Sequence, residues 1–193
     1  MKPALIIVDL LKDTFDKMPD SYIVKKSKEF LPALNEFIDF FHDKNWPVVF
    51  ACDSFLKEDF LFRGSMKPHS LRGTKGSEPV DELHRKPEDH VVWKRRFSAF
   101  FKTDLDQTLR TLGVDTVFVS GIATHVCVLT TLLDAISHDF HAILMHECCA
   151  AHAHEAHQAV LTAYAKTPLF PLLRVVDNDE CWKILKEEAN HQS

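Results

Sequence analysis

Apolar residues in this chain fall into two kinds of run. Short continuous stretches occur at Ala4–Val8, Val48–Cys52, Val91–Trp93, Val117–Val119 and Ala142–Met145, and a last one, Leu173–Val176, is broken only by Arg174. They show little alternation with polar residues, as expected for parallel strands buried on both faces. Between them, apolar positions recur at helical spacing. From about Ser27 to Lys44 the residues Phe30, Leu31, Leu34, Phe37, Ile38 and Phe41 share one face, and Asn45-Trp46-Pro47 ends the helix. Further helices are predicted from Thr103, a candidate cap, to about Leu112, from about Thr124 through Val128, Leu132 and Ala135, over 155–165 and over 180–189. Strand alternates with helix throughout, which predicts a three-layer α/β/α fold with a central parallel sheet. No repeat, linker or low-complexity segment interrupts the pattern, and the expectation is a single domain over 1–193.

In an open parallel sheet, ligands bind at the carboxyl ends of the strands. Asp9 closes the first strand, Asp53 the second, and Lys94 the third, where it begins the run Lys94-Arg95-Arg96. After the fourth strand, Ser120-Gly121 leads to Cys127 at the handover to a helix. Helix N-terminal N–H groups lower a thiol's pKa and can hold an oxyanion. A carboxylate, an amine and a thiol at one sheet edge supply a nucleophile and two proton-transfer partners. His125 is too near Cys127 in sequence to be a conventional base, and is expected at the pocket rim or in solvent. The segment from Ser54 to Glu78 has no period, and is expected to be a long loop forming much of the pocket wall. The histidines at 146, 152, 154 and 157 are spread over a loop and a helix start, weak grounds for a metal site. Cys148-Cys149 are adjacent and are expected to be packing residues.

Composition narrows the function. The chain has 193 residues, 46% hydrophobic and 26% charged, as in ordinary globular proteins. Its net charge of -5 and the lack of a basic stripe argue against a nucleic-acid partner. No apolar run is long enough to span a membrane. Five cysteines without CxxC spacing, and a start that leads straight into a strand, point to a reduced cytoplasmic protein.

Four pieces in order carry a family resemblance: Ile6-Ile7-Val8-Asp9; Trp93-Lys94 followed by Phe97-Ser98-Ala99-Phe100; Gly121-Ile122-Ala123-Thr124-His125-Val126-Cys127; and Asp134-Ala135. Over about residues 3–176 the chain resembles the isochorismatase-like cysteine hydrolases, which include the nicotinamidases. The resemblance implies an isochorismatase-like hydrolase fold and an Asp9-Lys94-Cys127 triad that needs no cofactor. It also implies a non-proline cis peptide at Ile122–Ala123, with the N–H groups of Ala123 and Cys127 binding the oxyanion. Phe15 and Phe97 are the expected substrate contacts, and a homo-oligomer is the expected assembly.

The chain departs from the nicotinamidase pattern at the metal. Asp53 and His69 match the first and last ligands of a zinc or other divalent site, but Phe55 stands where a histidine is expected. Asp59 or Glu58 is left as a substitute, or the metal is lost. Leu11 also replaces a glutamine common near the first aspartate. A cysteine nucleophile favours hydrolysis of the C–N bond of a small carboxamide, with nicotinamide as the first substrate to test. The alternatives are a hydrolase of another small metabolite and a binding protein without turnover.

Overall fold

The computed structural model describes residues 1–191. Six strands, β1 (Pro3–Val8), β2 (Val48–Asp53), β3 (His90–Lys94), β4 (Thr116–Ile122), β5 (His141–Ala150) and β6 (Leu173–Val176), form one parallel sheet in the order β3-β2-β1-β4-β5-β6. The helices are α1 (Lys12–Lys17), α2 (Tyr22–Asp43), α3 (Leu105–Thr111), α4 (Leu129–Ser137), α5 (His154–Tyr164) and α6 (Asn178–His191).

Strand alternation divides the core in two. Leu5, Ile7, Phe50 and Phe118 pack on one face with Leu34, Phe37 and Phe41 of α2 and Leu185 of α6. Ala4, Ile6, Val8, Val49 and Val119 pack on the other with Leu105 and Leu109 of α3, Leu132 of α4 and Val160 of α5. Every residue of β1, β2 and β4 is buried, which explains their unbroken apolar runs. Edge strand β3 is less covered, and Trp93 remains 46% exposed.

Several boundaries differ from expectation. Helix α2 begins earlier, at Tyr22, because the Ser21 hydroxyl accepts from the Val24 N–H and caps it. Helix α1 is not among the helices expected from the sequence. The fifth strand runs on to Ala150, past a register shift between Val119 and Gly121, and so takes in the buried Cys148 and Cys149. The predicted helix from Thr124 starts as a π-helical turn, Thr124–Val128, and becomes regular only at Leu129. Helix α6 extends past both expected ends.

Candidate active site

Strand order reverses between β1 and β4, the crevice where open α/β sheets place their ligands. At the end of β1 the backbone kinks, with Asp9 at φ 54°. Beside it, Gly121 adopts φ 110°, and a Cβ there would stand 2.1 Å from the Val8 carbonyl oxygen. Only glycine allows β4 to run this close to β1 at that point. The next peptide, Ile122–Ala123, is cis, as the family resemblance implies. The π-helical turn then carries Cys127 back over the ends of the strands.

Four side chains meet here. Lys94 Nζ lies 2.5 Å from Asp53 Oδ1 and 2.7 Å from Asp9 Oδ2. The Asp53 N–H donates to Asp9 Oδ1 at 2.8 Å. Ligating atoms of Asp9, Asp53 and Cys127 all lie within 4.8 Å of one another. All four residues are buried, and Lys94 is completely so. The contact between Lys94 and Asp9 is ionic without hydrogen-bond alignment, leaving Asp9 Oδ2 with no hydrogen-bond partner among the described residues. That oxygen faces the ammonium, and the same carboxylate stands close to the Cys127 sulfur.

Electrostatics here overturn one expectation. The start of a helix suggested a thiol with a lowered pKa. Instead burial first, and the neighbouring Asp9 next, push Cys127 well above the ordinary thiol range despite Lys94. The resting sulfur is a thiol. Burial and the charge of Asp9 also raise the Asp53 carboxyl to about 7, against the pull of Lys94. Burial alone would lower Lys94, but the Asp53 and Asp9 carboxylates outweigh it and keep the ammonium charged.

Of the two residues matched to a metal, Asp53 is engaged by another group. Asp53 serves Lys94, whose ammonium already sits against both carboxylates. Phe55 is buried, with its ring edge-on to His69 and Phe62. His69 Nδ1 stands 2.9 Å from the Lys67 carbonyl. Asp59 has no exposed side-chain surface and holds Arg95 at 2.8 Å and Arg96 at 3.0 Å, while Glu58 is exposed. Among the described residues, no third donor joins Asp53 and His69 in a metal-sized cluster. A catalytic zinc ordinarily takes three protein ligands, so these residues do not fit one.

The expected aromatic contacts divide. Phe15 packs in the α2-side core, and Phe97 is partly buried against the opposite one. His125 is half-buried beside His152, with ring centroids 5.9 Å apart, and burial lowers its pKa. A separate groove of about 590 Å³ runs along Ser54, Arg72, Thr74, Ser77 and Trp93. Trp93 leaves its strand on the face opposite Lys94, while Ser54, also on the groove wall, directly follows Asp53.

Two contacts escaped the reading of the sequence. Arg95 and Arg96 close on the buried Asp59 from across the long loop, a pairing that the charge run only hints at. Thr124 Oγ1 meets His157 Nδ1 at 2.9 Å across 33 positions of sequence, and no local signal marks it.

The comparisons with known proteins agree with this architecture. A profile of the isochorismatase domain matches residues 3–172. An uncharacterized isochorismatase family protein of Bacillus subtilis, YwoC, is 30% identical over 83% of this chain and 84% of its own length. The crystal structure of an isochorismatase-like hydrolase from Alkaliphilus metalliredigens superposes with a TM-score of 0.83 at 27% identity, covering 95% of this chain and 99% of that one. N-carbamoylsarcosine amidase from Thermoplasma acidophilum superposes with a TM-score of 0.78 at 28% identity, covering 93% and 98%. With its fold, its strand-end cluster and this similarity along nearly its whole length, the chain belongs to the isochorismatase family of hydrolases.

Proposed function

We propose that this protein is a cysteine hydrolase that cleaves the C–N bond of a small carboxamide through a thioester. The observation that carries the reading is the buried group of Cys127, Asp9 and Lys94, which brings thiol, carboxylate and ammonium into one cluster. Because the resting sulfur is protonated, attack and proton transfer are coupled. Cys127 Sγ bonds to the carbonyl carbon as its proton passes to Asp9. Backbone N–H groups of Ala123 and Cys127 are assigned to the resulting oxyanion. Collapse breaks the C–N bond, and Asp9 returns its proton to the leaving nitrogen, which departs as ammonia or an amine. Water then gives a proton to Asp9 and attacks the thioester; the acid leaves and the sulfur recovers its proton. Lys94 offsets the negative charge that these steps move between Asp9 and the sulfur.

Similarity to an amidase of the same fold supports C–N cleavage, and nicotinamide remains the first candidate substrate. The test is ammonia release from nicotinamide, pyrazinamide and N-carbamoyl amino acids, with isochorismate in parallel. At least one amide should turn over, and Cys127→Ala should abolish it. Cleavage of isochorismate alone would favour the metabolite-hydrolase alternative. Binding without any turnover would favour a degenerate binding protein.

A further inference from the structure

We propose that His157 is a positioning residue for the nucleophile, fixing the turn that carries Cys127 through its hydrogen bond to Thr124. The inference rests on the reading of Cys127 as nucleophile.

Thr124 opens the π-helical turn, one residue after the cis peptide, and its side chain is completely buried. The residue ahead of the turn, Ala123, has no side chain able to cap it, and the Thr124 hydroxyl is the polar side-chain anchor at its start. That hydroxyl meets His157 Nδ1 at 2.9 Å. His157 belongs to α5, an element separate from the chain segment it holds, so the bond ties the turn to a helix that packs on the core through Val160. A π-helical turn needs such support. Its wide hydrogen bonding is rarely stable alone, and here the Ala123 carbonyl accepts from both Val126 at 2.9 Å and Val128 at 3.3 Å. Three residues after Thr124 lies a sulfur that must stay in register with Asp9. Burial first, and the nearby His146 and His154 next, hold the His157 imidazole below its usual pKa. It is therefore neutral near pH 7, and Nδ1 can pair with the hydroxyl in either tautomer.

Because the Cys127 thiol is protonated at rest, its reactivity depends on Lys94, whose charge favours the thiolate, and on Asp9 as the nearby proton acceptor; a displaced sulfur loses both. The rate of Cys127 alkylation by iodoacetamide, followed by mass spectrometry at pH 7, reports this without any substrate. His157→Ala and Thr124→Val should each slow alkylation about tenfold, the worth of one such hydrogen bond. The double variant should be no slower than either single one. Thr124→Ser, which keeps the hydroxyl, should restore most of the rate. His157→Asn places a polar atom near the original Nδ1 and should do the same, whereas His157→Gln, reaching toward the Nε2 position, should not. Unchanged or faster alkylation in folded His157→Ala would overturn the proposal, as would multiplicative losses in the double variant. If the alanine variant does not fold, equal rates for His157→Asn and His157→Gln overturn it instead. Failure of the amidase reading looks different: no amide would turn over, or Cys127→Ala would keep its turnover, whatever these alkylation rates do.

Discussion

Asp53 shows how one residue's role depends on what stands around it. By position it matches a metal ligand; by geometry it is the second carboxylate on the Lys94 ammonium. Two carboxylates beside one ammonium leave an excess negative charge in a buried place, and this, after burial itself, raises Asp53 to about 7. In an unfolded chain the same carboxyl ionises near about 3.9. Folding therefore favours its protonated form. The stability this contributes is complete below about pH 4 and is lost as the pH rises towards 7. Asp53→Asn removes the charge and keeps an oxygen for Lys94. Its melting temperature relative to the unsubstituted protein should rise between about pH 4 and pH 7, then level off. A constant difference across that range would show that Asp53 is fully ionised in the fold.

Two elements depend on residues that an apolar pattern does not report. Strand β4 passes β1 so closely at Gly121 that a methyl group would strike the backbone of Val8. Neither backbone can yield without disturbing the ladder between them, and φ 110° adds strain for any L side chain. Gly121→Ala should cost about 3 kcal/mol of unfolding free energy by denaturant titration. A loss under 1 kcal/mol would mean that the strands separate easily there. The long loop after β2 is tied down differently. Buried Asp59 draws Arg95 and Arg96 onto it, and the Arg96 carbonyl in turn accepts from Lys94 at 3.3 Å. Asp59→Ala should cost about 2 kcal/mol and quicken proteolytic cleavage between Ser54 and Ser70. Cleavage at the unsubstituted rate would show that the loop is held without Asp59, by contacts such as the backbone bonds of Phe55 to Ser70 and Arg72 and the Ser70 N–H to Asp13.

At the scale of the whole molecule, the site exists because the ends of four strands meet. Asp9 follows β1, Asp53 ends β2 and Lys94 ends β3, and Cys127 follows β4. Lys94 reaches from the edge strand past β2 to Asp9, so the charges form one array. Groups that act as a unit do not lose activity additively. Asp9→Asn, Lys94→Met and the double variant should each lower kcat/KM by similar amounts, on the order of 10³-fold. Arg95→Ala, which leaves Asp59 paired with Arg96, should stay near the unsubstituted rate. Losses that add in free energy would show Asp9 and Lys94 working independently.

Much of this protein was legible along the chain. Strands covered on both faces need unbroken apolar runs, and helices need apolar residues every three or four positions. Six strands and their order of alternation with helices follow from those periods. The polar residues that end the strands are equally local marks, which is why Asp9, Asp53, Lys94 and Cys127 stood out as site candidates. What those residues do to one another was not legible. The high thiol pKa of Cys127 comes from burial and from Asp9, more than a hundred positions away in sequence; neither is a property of the peptide around it. Phe55 already marked the broken ligand pattern along the chain, but that Asp53 is held by Lys94 shows only in the fold. The Thr124–His157 and Asp59–Arg96 contacts join segments whose separation no periodicity encodes. Sequence by itself determined the elements and the candidate chemistry, because both are set by near neighbours. Only the tertiary structure decided the charge states and partners, because Coulomb interaction and desolvation depend on distance through space.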